Sequence, residues 1–129
     1  MAVQVGIIGT SWWADAMYLP ALAAHPDAEV VAVCGRSPDS TDRFASQWGV
    51  KHAFTDPTRM MALVPMDAVI IATSNDSHYP LAISAMRRGI HVLCEKPLAL
   101  DADQAAAMAE LAGVNKLITW CPSPIATCR

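Results

Sequence analysis

The stretch VQVGIIGTSWWADAM, residues 3–17, joins a β-like apolar run to a helix-like segment through a glycine. Gly9 allows the chain to turn sharply, and Ala14 is small enough for the helix to pack closely on the strand. Ser11 stands where a dinucleotide-binding turn usually has a second glycine, although a small hydroxyl still lets a phosphate approach. The order strand, turn, helix predicts a pyrophosphate site at the amino end of the helix. The alternative is an ordinary turn between a strand and a helix.

Outward from this turn, β-like runs alternate with helix-like segments along the whole chain. The runs are short and rich in β-branched residues, and they read VQVGII, EVVAVC, VKHAF, DAVIIAT, IHVLC and KLITW. Polar starts and glycine ends mark the helices between them, with starts at Ser37, Asp56, Asp76 and Asp101 and ends at Gly89 and Gly113. This series predicts an α/β fold, a doubly wound and mostly parallel sheet of the Rossmann type in three layers, α/β/α.

The length of 129 residues leaves room for one hydrophobic core. We expect the domain to comprise residues 1–114, where the alternation is regular. Residues 115–129 contain a possible last strand and then an atypical tail with two prolines. The regular alternation therefore stops early in this chain.

Charge and composition exclude several classes of protein. The net charge of −3, without a basic cluster, argues against a nucleic-acid or anionic membrane partner. The most apolar stretch is interrupted by Pro65 and Asp67, and the first residues lack a secretory signal, so we expect a cytoplasmic protein. The four cysteines, at positions 34, 94, 121 and 128, lack metal-ligand spacing and are expected to be buried thiols, with no metal site. The 53% apolar composition predicts surface that is covered in a homo-oligomer.

The end of the second predicted strand discriminates between the two nicotinamide dinucleotides. An acidic side chain would be expected there for the ribose hydroxyls of NAD, but the chain has Arg36 and Ser37. A guanidinium and a hydroxyl suit the 2′-phosphate of NADP, which favours NADP over NAD. The alternative is a solvated arginine beside a serine that caps a helix. Trp12 and Trp13 are adjacent on the helix, so we expect one in the core and one in the wall of the cofactor cleft.

A longer segment carries a family resemblance. It reads IIATSNDSHYPLAISAMRRGIHVLCEKPLAL, residues 70–100, and contains the tripeptide Glu95-Lys96-Pro97. Together with the turn at Gly9, it resembles the amino-terminal half of the Gfo/Idh/MocA oxidoreductases, over residues 3 to 114. The resemblance implies a nicotinamide cofactor and a sugar, polyol or related hydroxyl substrate. It also implies a second, substrate-binding domain, which we expect this chain to lack, so that it would be incomplete as an enzyme.

The resemblance assigns roles to particular residues. Lys96 is implied to lie near the substrate hydroxyl and to assist proton transfer while hydride passes to or from the nicotinamide. The resemblance also implies that Thr73, Ser74, Asn75, His78, Glu95, Lys96 and Pro97 bind the cofactor. The turn after the first strand and the end of the second strand supply the other predicted cofactor-binding residues, which are Gly9, Thr10, Ser11, Trp12, Trp13, Arg36 and Ser37. For His78 the alternative is a polar residue in the first turn of a helix, and for Lys96 a solvated loop lysine. Pro97 fixes the turn, and its peptide bond is compatible with either the cis or the trans form.

Two functions remain open at this stage. The chain is predicted to represent an NAD(P)-dependent oxidoreductase that acts on a sugar or polyol, with Lys96 in proton transfer. The alternative is a non-catalytic dinucleotide-binding module or an inert fragment, because the residues of a substrate pocket are absent.

Overall fold

The predicted β-branched runs form a single sheet in the computed structural model, which describes residues 2–122. The six strands are β1 Val3–Ile8, β2 Ala28–Cys34, β3 His52–Phe54, β4 Ala68–Ile71, β5 His91–Cys94 and β6 Thr119–Trp120. They lie in the order β3-β2-β1-β4-β5-β6, and every neighbouring pair is parallel. This is the strand order of a doubly wound dinucleotide-binding sheet, so the predicted fold is confirmed.

Helices connect the strands. Residues 12 to 24 are helical, with a π-helical turn at Ala14–Tyr18 that runs into α1, Leu19–Ala24. The remaining helices are α2 Pro38–Trp48, α3 Pro57–Leu63, α4 His78–Arg87 and α5 Ala102–Val114. A short 3₁₀ turn, Asn75–Ser77, precedes α4. No helix within residues 2–122 is long and apolar enough to cross a membrane.

Most helix boundaries follow the local chemistry that predicts them. The Asp56 carboxylate accepts from the Thr58 amide at 2.9 Å at the start of α3, and Asp101 similarly caps α5. Gly113 differs from the prediction, because α5 continues through it to Val114. The helix is closed instead by Lys116, which is left-handed at φ 55°, and the next amide, at residue 117, donates to a carbonyl inside the last turn.

The core lies on both faces of the sheet because successive strand residues point to opposite sides. One face carries Ile7, Val33 and Ile70, which pack with Leu19 and Phe44 under α1 and α2. The other face packs under α3, α4 and α5 and includes Ile8, Cys34, Ile71, Met60, Met86 and Met108. The three-layer arrangement predicted from the sequence is therefore present.

Some predictions concern residues at the carboxyl end. Cys34, Cys94 and Cys121 are buried, as predicted, whereas Cys128 lies outside the described residues. The predicted last strand is present as the two-residue β6 at the sheet edge. Most of the predicted tail, residues 123–129, lies outside the described residues.

Candidate functional site

A cleft of about 730 Å³ runs along the carboxyl ends of β1 to β5. Its centre lies where β1 and β4 are neighbours, and connections from these two strands wind in opposite directions, which is where such sheets bind ligands. The residues that line it are Ile8, Gly9, Thr10, Ser11, Trp13, Cys34, Gly35, Arg36, Ser37, Ser40, Thr55, Pro57, Ala72, Thr73, Ser74, Ser77, Leu81, Glu95 and Lys96. We call its two extremes the Arg36 end and the Lys96 end.

The floor of the cleft is backbone at Gly9. Gly9 has φ +112°, and a Cβ there would collide with the carbonyl of Ala72 at the end of β4. The Gly9 amide donates to the Cys34 carbonyl at 2.8 Å, which joins the ends of β1 and β2. Because no side chain fits at Gly9, a ligand in the cleft can approach the main chain and the amino end of the following helix.

The Arg36 end consists of the loop after β2 and the start of α2. A Cβ on Gly35 would collide with the hydroxyls of Thr41 and Thr10, so the loop lies close to both. The buried Thr41 hydroxyl donates to the Ser37 carbonyl at 2.6 Å. Arg36 itself is exposed, and within residues 2–122 it makes no hydrogen bond or ion pair. This end therefore presents a cation on a well-supported loop.

The Lys96 end contains a carboxylate held by two donors. Glu95 follows β5, and its Oε1 accepts from Trp13 Nε1 at 2.8 Å and from the Tyr18 hydroxyl. Trp13 and Tyr18 are five residues apart on the π-helical turn, and its wider turn brings both to the same side. Burial raises the pKa of Tyr18 well above its ordinary value, and the Glu95 carboxylate adds to the effect. Glu95 is thus fixed to the helix that follows β1.

His78 connects the loops after β4 and β5. Its side chain is fully buried, with Nδ1 2.6 Å from the Pro97 carbonyl oxygen and Nε2 3.1 Å from the Thr73 carbonyl oxygen. The Lys96-Pro97 peptide bond is cis. The two loops that form the Lys96 end are therefore linked by one buried ring.

Lys96 contrasts with its anchored neighbours. Its side chain is exposed at the cleft, and its ammonium group has no hydrogen-bond or ion-pair partner within residues 2–122. In the same residues, no group of three or more His, Cys, Asp or Glu side chains is placed to hold a metal ion. The cleft offers a backbone floor with a cation near each end, an arrangement that suits an extended anionic ligand.

Comparison with known proteins identifies the family. The profile described as "Oxidoreductase family, NAD-binding Rossmann fold", that of the Gfo/Idh/MocA proteins, matches residues 3–121. The chain belongs to this family. Scyllo-inositol 2-dehydrogenase (NADP(+)) of Bacillus subtilis (strain 168) is 36% identical over 116 residues, which are 90% of this chain and 35% of that protein. D-glucoside 3-dehydrogenase of Escherichia coli (strain K12) is 33% identical over 85% of this chain and 31% of its own length.

A solved structure agrees with the fold. A 3-ketoreductase from Actinomadura kijaniata, in complex with TDP-benzene and NADP in an open conformation, superposes with a TM-score of 0.87 at 32% identity. The match covers 94% of this chain and 38% of the ketoreductase. The chain therefore spans about one third of the length of the relatives that it matches.

Ten of the residues predicted from the sequence line the cleft. They are Gly9, Thr10, Ser11, Trp13, Arg36, Ser37, Thr73, Ser74, Glu95 and Lys96. Their contacts with a bound dinucleotide remain predictions. Trp12, Asn75, His78 and Pro97 are not among the lining residues.

Two of these four residues have positions that differ from expectation. Trp12, expected in the core if Trp13 walled the cleft, is 74% exposed and packs edge-on against the Trp13 ring, with centroids 5.6 Å apart. His78 is buried behind the cleft wall, where its ring reaches the two loop carbonyls instead of the cleft. Its backbone begins α4, so its position in the first helical turn agrees with the alternative interpretation.

Sequence reasoning missed Tyr18 and Gly35. Gly35 directly follows β2, and a glycine at a strand end beside Arg36 was the available signal. Tyr18 gave no signal, because in an ordinary α-helix residues five apart point in different directions and its pairing with Glu95 depends on the π-helical turn.

Proposed function

We propose that this chain is the cofactor-binding domain of an NADP-dependent oxidoreductase that oxidises a hydroxyl carbon of a sugar or polyol, or reduces the corresponding ketone. The observation that carries the proposal is the cleft at the switch point of the sheet, with the Lys96 ammonium at one end and Arg36 at the other. Family membership supports the same chemistry.

The shape of the site fits a dinucleotide. The absence of a side chain at Gly9 leaves room for pyrophosphate beside the helix that begins at residue 12, whose first amides lack intrahelical partners. Ser11 and Ser74 add hydroxyl groups to the same wall. The cleft volume of about 730 Å³ lies within the range of cofactor sites.

NADP is favoured over NAD by the Arg36 end. The guanidinium of Arg36 and the hydroxyl of Ser37 both line the cleft and are able to bind the 2′-phosphate through charge-assisted hydrogen bonds. Gly35, Arg36 and Ser37 follow β2 directly, so this loop offers no carboxylate for the ribose hydroxyls of NAD. The name of the Bacillus subtilis relative specifies NADP(+), and the Actinomadura kijaniata structure contains NADP.

The chemistry would be divided between cofactor and protein. The nicotinamide, when bound, supplies the hydride acceptor or donor. Lys96 holds a proton at Nζ and gives it to the carbonyl oxygen during reduction, or accepts the hydroxyl proton during oxidation. Glu95 acts as a support, because its Oε1 is already occupied by donors from Trp13 and Tyr18.

The substrate class rests on the relatives. The Bacillus subtilis protein is named for scyllo-inositol and the Escherichia coli protein for D-glucosides, so we assign a ring-shaped polyol or sugar to this site. A turnover assay with NADP⁺ and a panel of inositols, glucosides and free sugars tests the assignment through the absorbance of the reduced nicotinamide. We expect turnover to be lost in Lys96→Met and retained in Lys51→Met, a lysine that does not line the cleft.

A second candidate is a dinucleotide-binding module without turnover of its own. It is favoured by the chain spanning about one third of its relatives' length. NADPH binding without turnover across the panel would support the module, whereas turnover that depends on Lys96 would support the enzyme. Binding of neither dinucleotide would contradict both.

We further propose that the protein is cytoplasmic and self-associates. Val114, Ile118 and Trp120 are all more than half exposed and lie at or beside the β6 edge of the sheet, where a second copy would cover them. Light scattering tests the oligomer, and a mass that stays monomeric at high concentration would contradict it.

A further inference from the structure

His78 is a buried polar ring, and among the described residues 2–122 its two nitrogens contact only backbone carbonyls. Burying an imidazole is costly unless it is hydrogen-bonded, and here the partners belong to two different loops. Thr73 lines the cleft after β4, and Pro97 directly follows Lys96 after β5. The ring therefore lies where it can set the distance between the two loops.

The two contacts are unequal. A carbonyl oxygen only accepts, and a neutral imidazole has a single N–H. The shorter contact, 2.6 Å from Nδ1 to the Pro97 oxygen, assigns that proton to Nδ1. Nε2, at 3.1 Å from the Thr73 oxygen, donates there only when the ring carries a second proton. The bond to Pro97 is thus the one that the neutral ring makes.

We propose that His78 is a positioning residue for Lys96, acting through the Nδ1–H bond to the Pro97 carbonyl. The residue before Lys96, Glu95, accepts hydrogen bonds from Trp13 and Tyr18. The residue after Lys96, Pro97, has its carbonyl oxygen in contact with His78 Nδ1. The Lys96 ammonium has no anchor of its own within residues 2–122, so the direction of this side chain is set by the two fixed neighbours. The proposal rests on the proposed function, in which Lys96 lines one end of the cleft that binds the dinucleotide.

Two amide substitutions separate the two ring contacts. The side-chain amide of Asn places its NH₂ group near the position of Nδ1, and the longer Gln places it near Nε2. His78→Asn is therefore expected to keep the bond to Pro97, and His78→Gln is expected to lose it. Both variants retain a polar amide in the same pocket, so a role limited to filling space does not predict that Asn performs better than Gln.

The readout is the dissociation constant of NADPH, measured by fluorescence titration of the full chain. We expect His78→Asn to match the wild type within about twofold and His78→Gln to weaken binding about fivefold, the effect of one hydrogen bond. In a Lys96→Met background, His78→Gln is expected to cause no further weakening, because the effect passes through Lys96. Circular dichroism on each variant checks that it is folded.

A second measurement concerns the free protein. Long-range ¹H–¹⁵N correlation spectra of the His78 ring, assigned with His78→Asn as the blank, are expected to show the neutral form protonated at Nδ1. A neutral ring protonated at Nε2 would overturn the proposal even if one of the variants failed to fold.

Other results of the affinity measurements would also test the positioning role of His78. Equal affinities for Asn and Gln, a tighter Gln variant, or undiminished weakening by Gln in the Lys96→Met background would each overturn the positioning role. If the wild-type chain itself bound no NADPH, the proposed function would fail, and that result is distinct from failure of the His78 proposal alone.

Discussion

The two ends of the cleft are built differently. At the Arg36 end the loop backbone is supported by Thr41, but Arg36 and Ser37 are exposed side chains on its surface. At the Lys96 end, the carboxylate of Glu95 accepts hydrogen bonds from side chains of the π-helical turn. On the other side of Lys96, the carbonyl of Pro97 contacts the buried ring of His78.

This difference suggests that the Arg36 end selects the ligand and that the Lys96 end holds a reacting group in place. A charge on an exposed loop can be exchanged with little effect on folding, so it suits the choice between two related ligands. A side chain placed between buried hydrogen bonds is fixed before the ligand arrives, which suits a group that must meet a reacting atom. We therefore expect substitutions at the Arg36 end to change affinity and substitutions at the Lys96 end to change stability as well.

The largest effect is expected at Gly9, where the two halves of the cleft meet. Gly9→Ala adds a Cβ that collides with the Ala72 carbonyl at a positive φ, so we expect the free energy of unfolding to fall by more than about 3 kcal/mol. Gly49→Ala is the matched control, because Gly49 has φ +67° but open space around its Cβ, and it should cost about 1 to 2 kcal/mol. Urea denaturation measures both, and equal losses would contradict the close approach at Gly9.

The next effect concerns ligand choice at the Arg36 end. Arg36→Met removes the charge that we assign to the 2′-phosphate, so NADPH should bind about tenfold to a hundredfold more weakly while NADH is unchanged. Arg43→Met, on the exposed side of α2 and outside the cleft, is the control. Isothermal titration gives both constants. If NADPH and NADH weakened together, Arg36 would have no selective role.

A smaller effect is expected at the Lys96 end. Trp13→Phe keeps an aromatic ring but removes the donor to Glu95, so we expect a loss of about 1 kcal/mol in the free energy of unfolding. Trp12→Phe alters a ring that is mostly exposed and should change stability by less than about 0.5 kcal/mol. Thermal and urea unfolding compare the two. A larger cost for Trp12 would reverse our assignment of the two tryptophans.

An effect confined to alkaline pH is expected from the thiols beside the two ends. Burial raises the pKa of Cys34 to about 11 and that of Cys94 to about 12, from an ordinary 9.0. Their contribution to stability is complete below pH 9.0 and is lost as the pH rises toward those values, because the unfolded chain releases the protons first. The urea midpoint of unfolding, measured from pH 9 upward, should fall less steeply with pH in Cys94→Ala than in the unaltered chain. An unchanged pH dependence would show that the Cys94 thiol does not contribute.

The fold followed from the sequence because its determinants are local. β-branched runs, a glycine at position 9 and helix caps such as Asp56 and Asp101 each act within a few residues. The wrong prediction that α5 ends at Gly113 is also a local error, because Lys116, three residues later, takes the left-handed conformation that closes the helix.

The candidate site was predictable only in part. Arg36 and Lys96 could be located because each follows a strand, and the carboxyl ends of parallel strands share one edge. The hydrogen bonds that support the residues beside Lys96 could not be predicted. One of them depends on the π-helical turn that brings Tyr18 to Glu95. The others depend on the His78 ring, which contacts two loops that are 19 and 5 residues away in sequence. Such pairings arise from tertiary packing, which a single sequence does not encode locally.

The most direct test of the central claim is the pair of dissociation constants of the unaltered chain for NADPH and NADH, measured by isothermal titration under the same salt conditions. We predict that both bind and that NADPH binds at least about tenfold more tightly, the effect of one charge-assisted contact. Tighter binding of NADH would contradict the role of Arg36, and binding of neither would contradict the assignment of the cleft as a dinucleotide site.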